Sequence, residues 1–272
     1  MDNKIITLNE EKETLLIPLY GKAMETLKKS PILLDSKALE IVEKINYDFN
    51  SLKIPGKTNT MMCLRAKIID SFVTNVLNKE QDSVVLHLGC GLDSRYIRVN
   101  DSNVDWYDLD YKEVIDIRRY FYLETEKYHL VPSSVTELQW IDNIPRGHKQ
   151  YLVIAEGLFM YLKENEIKEI LMSIKKRIGS FTMILDAFSV FTAKKANNHP
   201  SIKKTGAKIY WGIDDPIELT KWDLGIQFLK VIYFTSNEVI EKLGIMTKLL
   251  YKIANLIPMA RNAHRILIFR VE

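Results

Sequence analysis

The chain has 272 residues, of which 47% are hydrophobic and 27% charged, and its formal net charge is +3 at neutral pH. This length and this proportion of hydrophobic to charged residues suit one large globular domain with an ample core. Because lysine and arginine are spread along the chain, the small positive charge suggests anionic ligands and argues against a nucleic-acid-binding surface.

Neither export nor membrane insertion is predicted. The first residues, MDNKIITLNEEKET, are too polar and acidic for a secretory signal, and no apolar run reaches the ~18 residues that a membrane span needs. Cys63 and Cys90 are the only cysteines, and they have neither a zinc-ligand spacing nor a disulfide framework. We therefore expect a reduced, cytoplasmic monomer or homodimer without a metal, a membrane partner or a nucleic-acid partner.

Helices are predicted over the first part of the chain. Residues 10–49 are expected to be helical, with breaks at Pro18 and near Pro31. A proline- and glycine-containing loop follows, and residues 60–78 form another helix. Residues 1–80 are thus predicted to be an N-terminal helical part of a single domain.

Strands and helices alternate from residue 83 onward. Strands are predicted over 83–89, 104–110, 129–134, 150–157, 180–189, 226–234 and 264–272, and helices over 111–128, 163–178 and 236–254. This alternation predicts an α/β fold with a doubly wound, mostly parallel sheet, in which the last two strands form an antiparallel pair at one edge. The single domain, 1–272, is divided into a cofactor-binding core (81–189), an acceptor lid (190–225) and C-terminal strands with a helix (226–272).

The first strand runs directly into a glycine turn, in the sequence SVVLHLGCGLDSR. Gly89 and Gly91 either turn the chain tightly or let a ligand approach the backbone closely. Asp110 closes the second strand nineteen residues after Gly91, and an acid at about this spacing typically binds ribose hydroxyls. The pattern predicts a cofactor that contains adenosine, with a ligand-free turn as the alternative.

S-adenosylmethionine fits this turn better than a dinucleotide does. Ser94 replaces the third glycine of the dinucleotide fingerprint G-x-G-x-x-G. Asp93 puts a negative charge where a pyrophosphate would need a helix N-terminus. S-adenosylmethionine carries no phosphate, and its cationic sulfonium tolerates acidic neighbours. NAD and FAD are therefore disfavoured.

Three ordered blocks resemble the leucine carboxyl methyltransferase family. They are HLGCGLDSRYIR (87–98), WYDLD (106–110) and AEGLFMYL (155–162), and they look most like the bacterial branch of tetracenomycin-type polyketide O-methyltransferases. The segments ETLLIPLYGKAMET and ILLDSKALEIV also look like the opening of that branch. The resemblance covers about residues 10–186 and implies a class I, Rossmann-like methyltransferase fold that uses S-adenosylmethionine.

The resemblance also implies which residues contact the cofactor. Arg65 is expected to bind the cofactor carboxylate, and Glu156 to lie beside the methionine part. Asp110 is expected to bind the ribose with Asp108 next to it, and Ser134 to face the adenine. The residues of the turn that contact the cofactor are Gly89, Cys90, Gly91 and Asp93. Lys22 stands where the branch usually has arginine, and Cys90 where a smaller residue is more common. Neither difference removes an implied contact.

Several of these residues also have a structural alternative. Arg65 could instead pack on the surface, and Asp110 could cap the following helix. Arg95 and Arg98 could form ion pairs with Asp93 and Asp108. His87 could be a hydrogen-bonded core residue, and Cys90 could serve packing alone. The sequence leaves these alternatives open.

The acceptor side is less well defined. Methyl transfer is an in-line displacement that mainly requires the acceptor and the methyl group to be held together. A carboxylate acceptor needs no base at pH 7, whereas a hydroxyl acceptor is helped by one. The candidate residues are Tyr161, which follows the fourth strand, and His199 and Tyr210 in the long segment 190–222. Two interpretations of the lysines in that segment are open: they attract an acidic substrate, or they are exposed to solvent without a function. These lysines are Lys194, Lys195, Lys203, Lys204 and Lys208.

The leading functional prediction is an S-adenosylmethionine-dependent O-methyltransferase. Its acceptor is expected to be a small molecule with a carboxylate or hydroxyl group, such as a secondary metabolite or polyketide. One alternative is a protein methyltransferase that acts on a C-terminal leucine. The other is a non-catalytic protein that binds the cofactor or a partner, which would bind the methyl donor without turnover.

Overall fold

A computed structural model describes residues 15–80, 82–99, 103–198, 206–241 and 243–272. The strands are β1 (Ser83–Leu88), β2 (Asp105–Asp110), β3 (Tyr128–Pro132), β4 (Gln150–Ala155), β5 (Phe181–Phe188), β6 (Ile226–Tyr233) and β7 (His264–Val271). The α-helices are α1 (Leu16–Thr26), α2 (Ser36–Lys44), α3 (Gly56–Leu77), α4 (Arg95–Val99), α5 (Lys112–Arg118), α6 (Glu164–Ile178), α7 (Val190–Ala196), α8 (Asn237–Ile240), α9 (Ile245–Leu256) and α10 (Pro258–Asn262). Short 3-10 helices cover Phe49–Leu52, Leu138–Asn143, Phe159–Tyr161 and Pro216–Trp222.

The seven strands form one sheet in the order β3-β2-β1-β4-β5-β7-β6. The strands β1 to β5 are parallel, and β7 runs antiparallel to both β5 and β6. The predicted fold class is confirmed, including the antiparallel pairing of the last two strands. The antiparallel strand β7 lies one place in from the edge, and β6 occupies the edge itself. The strand order reverses between β1 and β4, where ligands of open α/β sheets usually bind.

Both faces of the sheet are buried under helices. Side chains alternate between the two faces of a strand, so Val84 and Leu86 pack into the core that contains α6, while Val85 packs into the core that contains α3. Every residue of β1 is buried. This two-sided burial explains why the strand reads as an almost continuous apolar run in the sequence.

The N-terminal helices differ from the prediction at Pro18. The helix α1 passes through this residue without a break, because a proline in the first helical turn has no intrahelical N–H bond to lose. The predicted break at Pro18 is therefore wrong. The break near Pro31 is confirmed, since α2 begins only at Ser36, where the Asp35 carboxylate accepts the Ala38 N–H at 2.9 Å. Residues 1–14 lie outside the described part of the chain.

Two later helices are shorter than predicted. The helix α5 ends at Arg118 rather than near residue 128, and the Thr125 hydroxyl then accepts the N–H of Tyr128 at 3.0 Å in a turn. This turn brings the chain back so that β3 can pair with β2. The helix predicted over 236–254 is divided into α8 and α9. Within the described ranges, no helix is long and apolar enough to cross a membrane.

A buried ion pair fixes α5 against the sheet. The fully buried Arg118 pairs with Asp108 and donates to the carbonyl oxygens of Gly91 and Asp93 at 2.9 and 2.8 Å. Burial opposes ionisation of Asp108, but the Arg118 charge outweighs it and lowers the pKa of Asp108 to about 2. The expected pairing of Asp108 with Arg95 or Arg98 is not found; its cationic partner is Arg118.

Replacing this arginine should strongly destabilise the fold. Arg118→Met leaves the Asp108 carboxylate buried without its cation, which should lower the free energy of unfolding by about 3–5 kcal/mol. The matched control is Arg119→Met, one residue along, because Arg119 is exposed and its ion pairs lie in solvent. That change should cost less than about 1 kcal/mol. Urea unfolding measures both variants, and equal losses would contradict the assignment.

Candidate active site

A cavity of about 700 Å³ opens at the carboxyl ends of β1, β4 and β5. Its volume lies in the range typical of small-molecule sites. The glycine turn after β1, the residues after β4 and the end of β5 all contribute to its wall. The helices α1 and α3 cover one side, and Tyr251 of α9 and His264 of β7 line another.

The glycine turn is held in place by the neighbouring strand. Gly89 and Gly91 have φ values of +62° and +54°, a backbone conformation that L-residues with side chains rarely adopt. The Asp110 carboxylate accepts the Gly91 N–H at 2.7 Å, and the Cys90 N–H donates to the Leu109 carbonyl at 3.1 Å. The end of β2 therefore fixes the turn, and the turn lines the cavity.

Asp110 braces the turn rather than capping the following helix. Its second carboxylate oxygen accepts the N–H of Tyr111 at 2.8 Å, and α5 has no side-chain cap. Burial raises the pKa of Asp110, although its two backbone N–H donors favour the ionised form. Asp110 does not line the cavity itself but lies directly behind Gly91.

A series of alternating charges lies beside the cavity, and we call this set the charge chain. Its members Lys22, Asp93, Glu156 and Arg65 line the cavity. Each member pairs with the next, and the order is Lys22, Asp93, Arg98, Asp70, Arg95, Glu156, Arg65, Asp186. Asp35 adds a third carboxylate to Arg98 at 2.6 Å. The chain thus holds five carboxylates and four permanent cations, so it leaves one excess negative charge beside the cavity.

Arg65 occupies the centre of this arrangement. From α3 its Nε donates to Glu156 and its Nη1 to Asp186, each at 2.9 Å. Burial would raise the pKa of Glu156, but Arg65 and Arg95 lower it to about 2. Arg65 is 12% exposed and lines the cavity, so it is not the surface residue of the structural alternative. The two bonded nitrogens hold its guanidinium in a fixed orientation.

The structure brings most of the predicted cofactor residues together. Those that line the cavity are Arg65, Gly89, Cys90, Gly91, Asp93 and Glu156. Asp93 pairs with Lys22 and with Arg98 at 2.9 Å, as the ion-pair alternative expected for Arg98. Asp108 lies in the core with both oxygens bonded to other side chains. Ser134 follows β3 and hydrogen-bonds Thr136 at 2.8 Å, outside the cavity wall.

The predicted acceptor residues are separated by the structure. Tyr161 lines the cavity, and burial raises the pKa of its phenol. Tyr210 is 52% exposed and does not reach the cavity. His199 lies outside the described residues, as do Lys203 and Lys204. The other lysines of the segment are exposed and do not line the cavity; they are Lys194, Lys195 and Lys208.

Two further residues at the cavity are absent from the predicted site. His264, at the start of β7, lines the cavity and lies 2.6 Å from the Asp186 carboxylate of β5. Asp186 also accepts the Gly157 N–H at 2.6 Å. A single carboxylate inside the apolar strand FTMILDAF is the signal that could have identified Asp186, because a buried charge requires partners.

Glu156 should contribute stability that depends on pH. Because its folded-state pKa of about 2 lies below the ordinary value of 4.5, its ionised form stabilises the fold above pH 4.5. This contribution is lost as the pH falls from 4.5 towards 2. Glu156→Gln should therefore cost about 3 kcal/mol at pH 7, and the deficit should shrink at pH 4 and pH 3.

Urea unfolding at the three pH values measures this effect. The matched control is Glu164→Gln, which removes an exposed carboxylate that pairs with Lys168 and should change stability by less than about 1 kcal/mol. A deficit for Glu156→Gln that stays constant down to pH 3 would contradict the assigned role of its charge.

Sequence comparisons identify related proteins. The profile of the leucine carboxyl methyltransferase family matches residues 16–175. The tetracenomycin polyketide synthesis O-methyltransferase TcmP of Streptomyces glaucescens is 32% identical over 263 residues, which are 96% of this chain and 97% of TcmP. The S-adenosyl-L-methionine-dependent methyltransferase dpfgK of Gibberella zeae is 26% identical over 251 residues, 84% of each chain.

Solved structures support the fold class. A DUF574 family protein from Streptomyces avermitilis superposes with a TM-score of 0.61 at 8% identity, covering 97% of this chain and all of that one. Magnesium protoporphyrin IX methyltransferase from Synechocystis, solved with bound SAH, gives a TM-score of 0.51 at 11% identity over 80% of this chain and 89% of its own. At such low identity these likenesses concern the fold alone.

The family profile, the near full-length relative and the glycine turn beside a small-molecule cavity lead to one conclusion. The chain belongs to the leucine carboxyl methyltransferase family and is an S-adenosylmethionine-dependent methyltransferase.

Proposed function

We propose that this methyltransferase transfers a methyl group to an oxygen atom of a small molecule bound in the cavity. One observation carries the proposal: a single cavity connects the glycine turn with a mostly apolar end lined by Phe188, Ile209 and Ala260. The cofactor and the acceptor would therefore share one cavity. TcmP is an O-methyltransferase of polyketide synthesis, which supports a small-molecule acceptor for this chain.

The residues at the turn fit S-adenosylmethionine. The positive φ values at Gly89 and Gly91 allow a ligand to lie against the backbone. When bound, S-adenosylmethionine supplies a methyl group on a sulfonium, which is already activated for displacement. The protein mainly has to orient the acceptor and exclude water.

Three contacts are assigned to the cofactor. Arg65 would hold its carboxylate, because a guanidinium held by Glu156 and Asp186 is preorganised for such a partner. Asp110 would accept the ribose hydroxyls from its place behind Gly91, with the lone pairs that its backbone donors leave free. Ser134 would face the adenine, since the Ser133 N–H bonds the Asp110 carbonyl at 2.9 Å and keeps this loop beside β2.

The segment after β5 supports a role as the acceptor lid. Asn197 at the end of α7 and Ile209 exchange two hydrogen bonds of 2.8 Å each, and Ala196 and Ile209 line the cavity. The Tyr210 N–H donates to the Met160 carbonyl at 2.8 Å, which ties the segment to the residues after β4. The described residues of the segment 190–225 would thus close the acceptor end, while the described residues of 81–189 would bind the cofactor. Two buried free cysteines, Cys63 and Cys90, support a reduced, cytoplasmic setting.

Asp110→Ala should weaken the binding of S-adenosylhomocysteine at least tenfold in calorimetry. If the carboxylate binds the ribose, removing both ribose hydroxyls from the ligand should weaken wild-type binding but add little to the loss in the variant. The matched control is Asp116→Ala, an exposed aspartate paired with Lys112. Equal losses for both ligands in Asp110→Ala would mean that the carboxylate only braces the turn.

Arg65→Lys should separate carboxylate recognition from charge. Lysine keeps the positive charge beside Glu156 but loses the two-pronged geometry. We expect the dissociation constant of S-adenosylhomocysteine to rise at least fivefold, while that of methylthioadenosine, which lacks the carboxylate, changes less than twofold. Arg146→Lys at an exposed position is the control. An equal effect on both ligands would contradict the assignment.

The acceptor class is tested with a radiolabelled methyl donor. The enzyme is incubated with a metabolite extract and, separately, with peptides that end in leucine, and labelled products are identified by mass spectrometry. A labelled small-molecule ether or ester supports the proposal. A labelled peptide ester would instead support the protein methyltransferase, and donor binding without any labelled product would support the non-catalytic alternative.

A further inference from the structure

We propose that the outer face of the helices α9 and α10 binds the surface of an anionic lipid bilayer. The inference goes beyond the proposed methyl transfer and does not depend on it. It departs from the sequence-based expectation that the chain has no membrane partner. That expectation considered consecutive apolar residues, whereas this surface is built from apolar residues that come together only when the segment is helical.

A group of exposed apolar side chains lies between residues 245 and 259. Those on α9 are separated by one, three or four positions, which places them on one face of the helix. Ile245 and Leu256, at the two ends of α9, are 87% and 82% exposed. We call the group the apolar stripe, and its members are Ile245, Met246, Leu249, Leu250, Ile253, Leu256, Ile257 and Met259. A continuous apolar face of this kind that points outward indicates a binding surface.

The opposite face of α9 attaches the helix to the protein and so directs the apolar stripe outward. Tyr251 is buried and lines the cavity together with Ala254. The hydroxyl of Thr235, just after β6, donates to the side-chain oxygen of Asn255 at 2.8 Å. Because these polar and aromatic groups face inward, α9 cannot turn its apolar stripe towards the core without losing both contacts.

The charges beside the apolar stripe are all positive. Residues 244–263 contain no aspartate or glutamate, and their basic residues are Lys248, Lys252 and Arg261. Lys248 follows Ile245 by three positions and Lys252 precedes Leu256 by four, so both lysines border the apolar stripe. Lysine side chains at such a border keep their methylene groups on apolar surface while the ammonium reaches the lipid phosphates. An apolar face with a lysine border is typical of helices that lie in the plane of an anionic membrane.

A second copy of this chain fits the apolar stripe less well than a bilayer does. If two stripes paired about a two-fold axis, both copies would bring Lys248 and Lys252 to the same interface. The segment 244–263 has no carboxylate to neutralise them, and like charges at an interface weaken association. An anionic bilayer supplies phosphates for the lysines and hydrocarbon for the apolar stripe together.

The apolar stripe lies on the outer side of the cavity wall. Tyr251 and Ala254 of α9 and Ala260 of α10 line the cavity, so a bilayer on the apolar stripe would be separated from the cavity by these two helices alone. Ala260 belongs to the apolar end assigned above to the acceptor. The proposed surface would therefore hold the acceptor end of the enzyme next to the lipid.

Cosedimentation of the full chain with lipid vesicles tests the proposal. Vesicles of phosphatidylcholine mixed with phosphatidylglycerol should bind the protein at least about tenfold more tightly than vesicles of phosphatidylcholine alone. This preference should fall as the salt concentration is raised, because salt screens the lysines. Equal binding to the two kinds of vesicle, or no binding to either, would overturn the proposal.

The apolar contribution is tested with the double variant Ile245→Gln, Leu256→Gln. Its partition coefficient into the mixed vesicles should fall at least about tenfold, because it loses the two most exposed apolar side chains of the stripe. The matched control is Leu123→Gln with Met172→Gln, which changes two exposed apolar residues on other elements and should bind like wild type. Urea unfolding should show wild-type stability for both double variants. An equal loss of binding in the control would contradict the assigned surface.

The charge contribution is tested with the double variant Lys248→Gln, Lys252→Gln. We expect it to bind the mixed vesicles at least about fivefold more weakly than wild type at low salt and to lose most of its preference for phosphatidylglycerol. The control is Lys112→Gln with Lys149→Gln, two exposed lysines on other parts of the surface, which should keep that preference.

Two further outcomes would overturn the proposal. Sedimentation velocity might reveal a dimer that Ile245→Gln with Leu256→Gln dissociates, and this would assign the apolar stripe to a second copy. Vesicle binding that neither the stripe variant nor the lysine variant reduces would place the membrane contact elsewhere. Failure of the wild type to bind S-adenosylhomocysteine would count against the proposed function alone, since vesicle binding is measured without the cofactor.

Discussion

Buried charges must be paired, and this requirement organises the cavity. The charge chain begins on α1 at Lys22, passes through Asp93 after the glycine turn and reaches Arg65 on α3 and Asp186 on β5. Its members come from the helical N-terminal part and from the carboxyl edge of the sheet, so neither part can satisfy its charges alone. The N-terminal helices are consequently a wall of the site rather than an appendage.

The two ends of the cavity are lined by different kinds of groups. At the glycine turn, positive φ values and backbone hydrogen bonds from β2 shape a surface that a ligand can approach closely. At the other end, the aromatic rings of Phe188 and Phe234 contact the imidazole of His264. Asp186 joins the two ends, because a single oxygen of its carboxylate accepts from Arg65 and lies beside His264. The two ends therefore share one carboxylate.

Local sequence patterns were reliable where a short stretch sets its own conformation. The run from β1 into Gly89 and Gly91 predicted a strand and a turn. The spacing from the turn singled out Asp110 as a ribose-binding acid, and in the structure this carboxylate accepts the Gly91 N–H. The predictions failed where a neighbour decides the outcome. The helix α5 stops early because Arg118 is drawn into the core by Asp108, and neither its end nor its ion pair is visible in the segment 111–128 itself.

From residue order alone one obtains the alternation of strands and helices, the glycine turn, and an arginine and a glutamate suited to a charged ligand. These follow from periodicity and from side-chain chemistry within a few residues. The pairing of His264 with Asp186 spans 78 positions and exists only because β7 inserts antiparallel between β5 and β6. Which strands become neighbours depends on how the whole sheet closes its hydrogen bonds and buries both faces. This contact at the cavity was therefore decided by the folded chain.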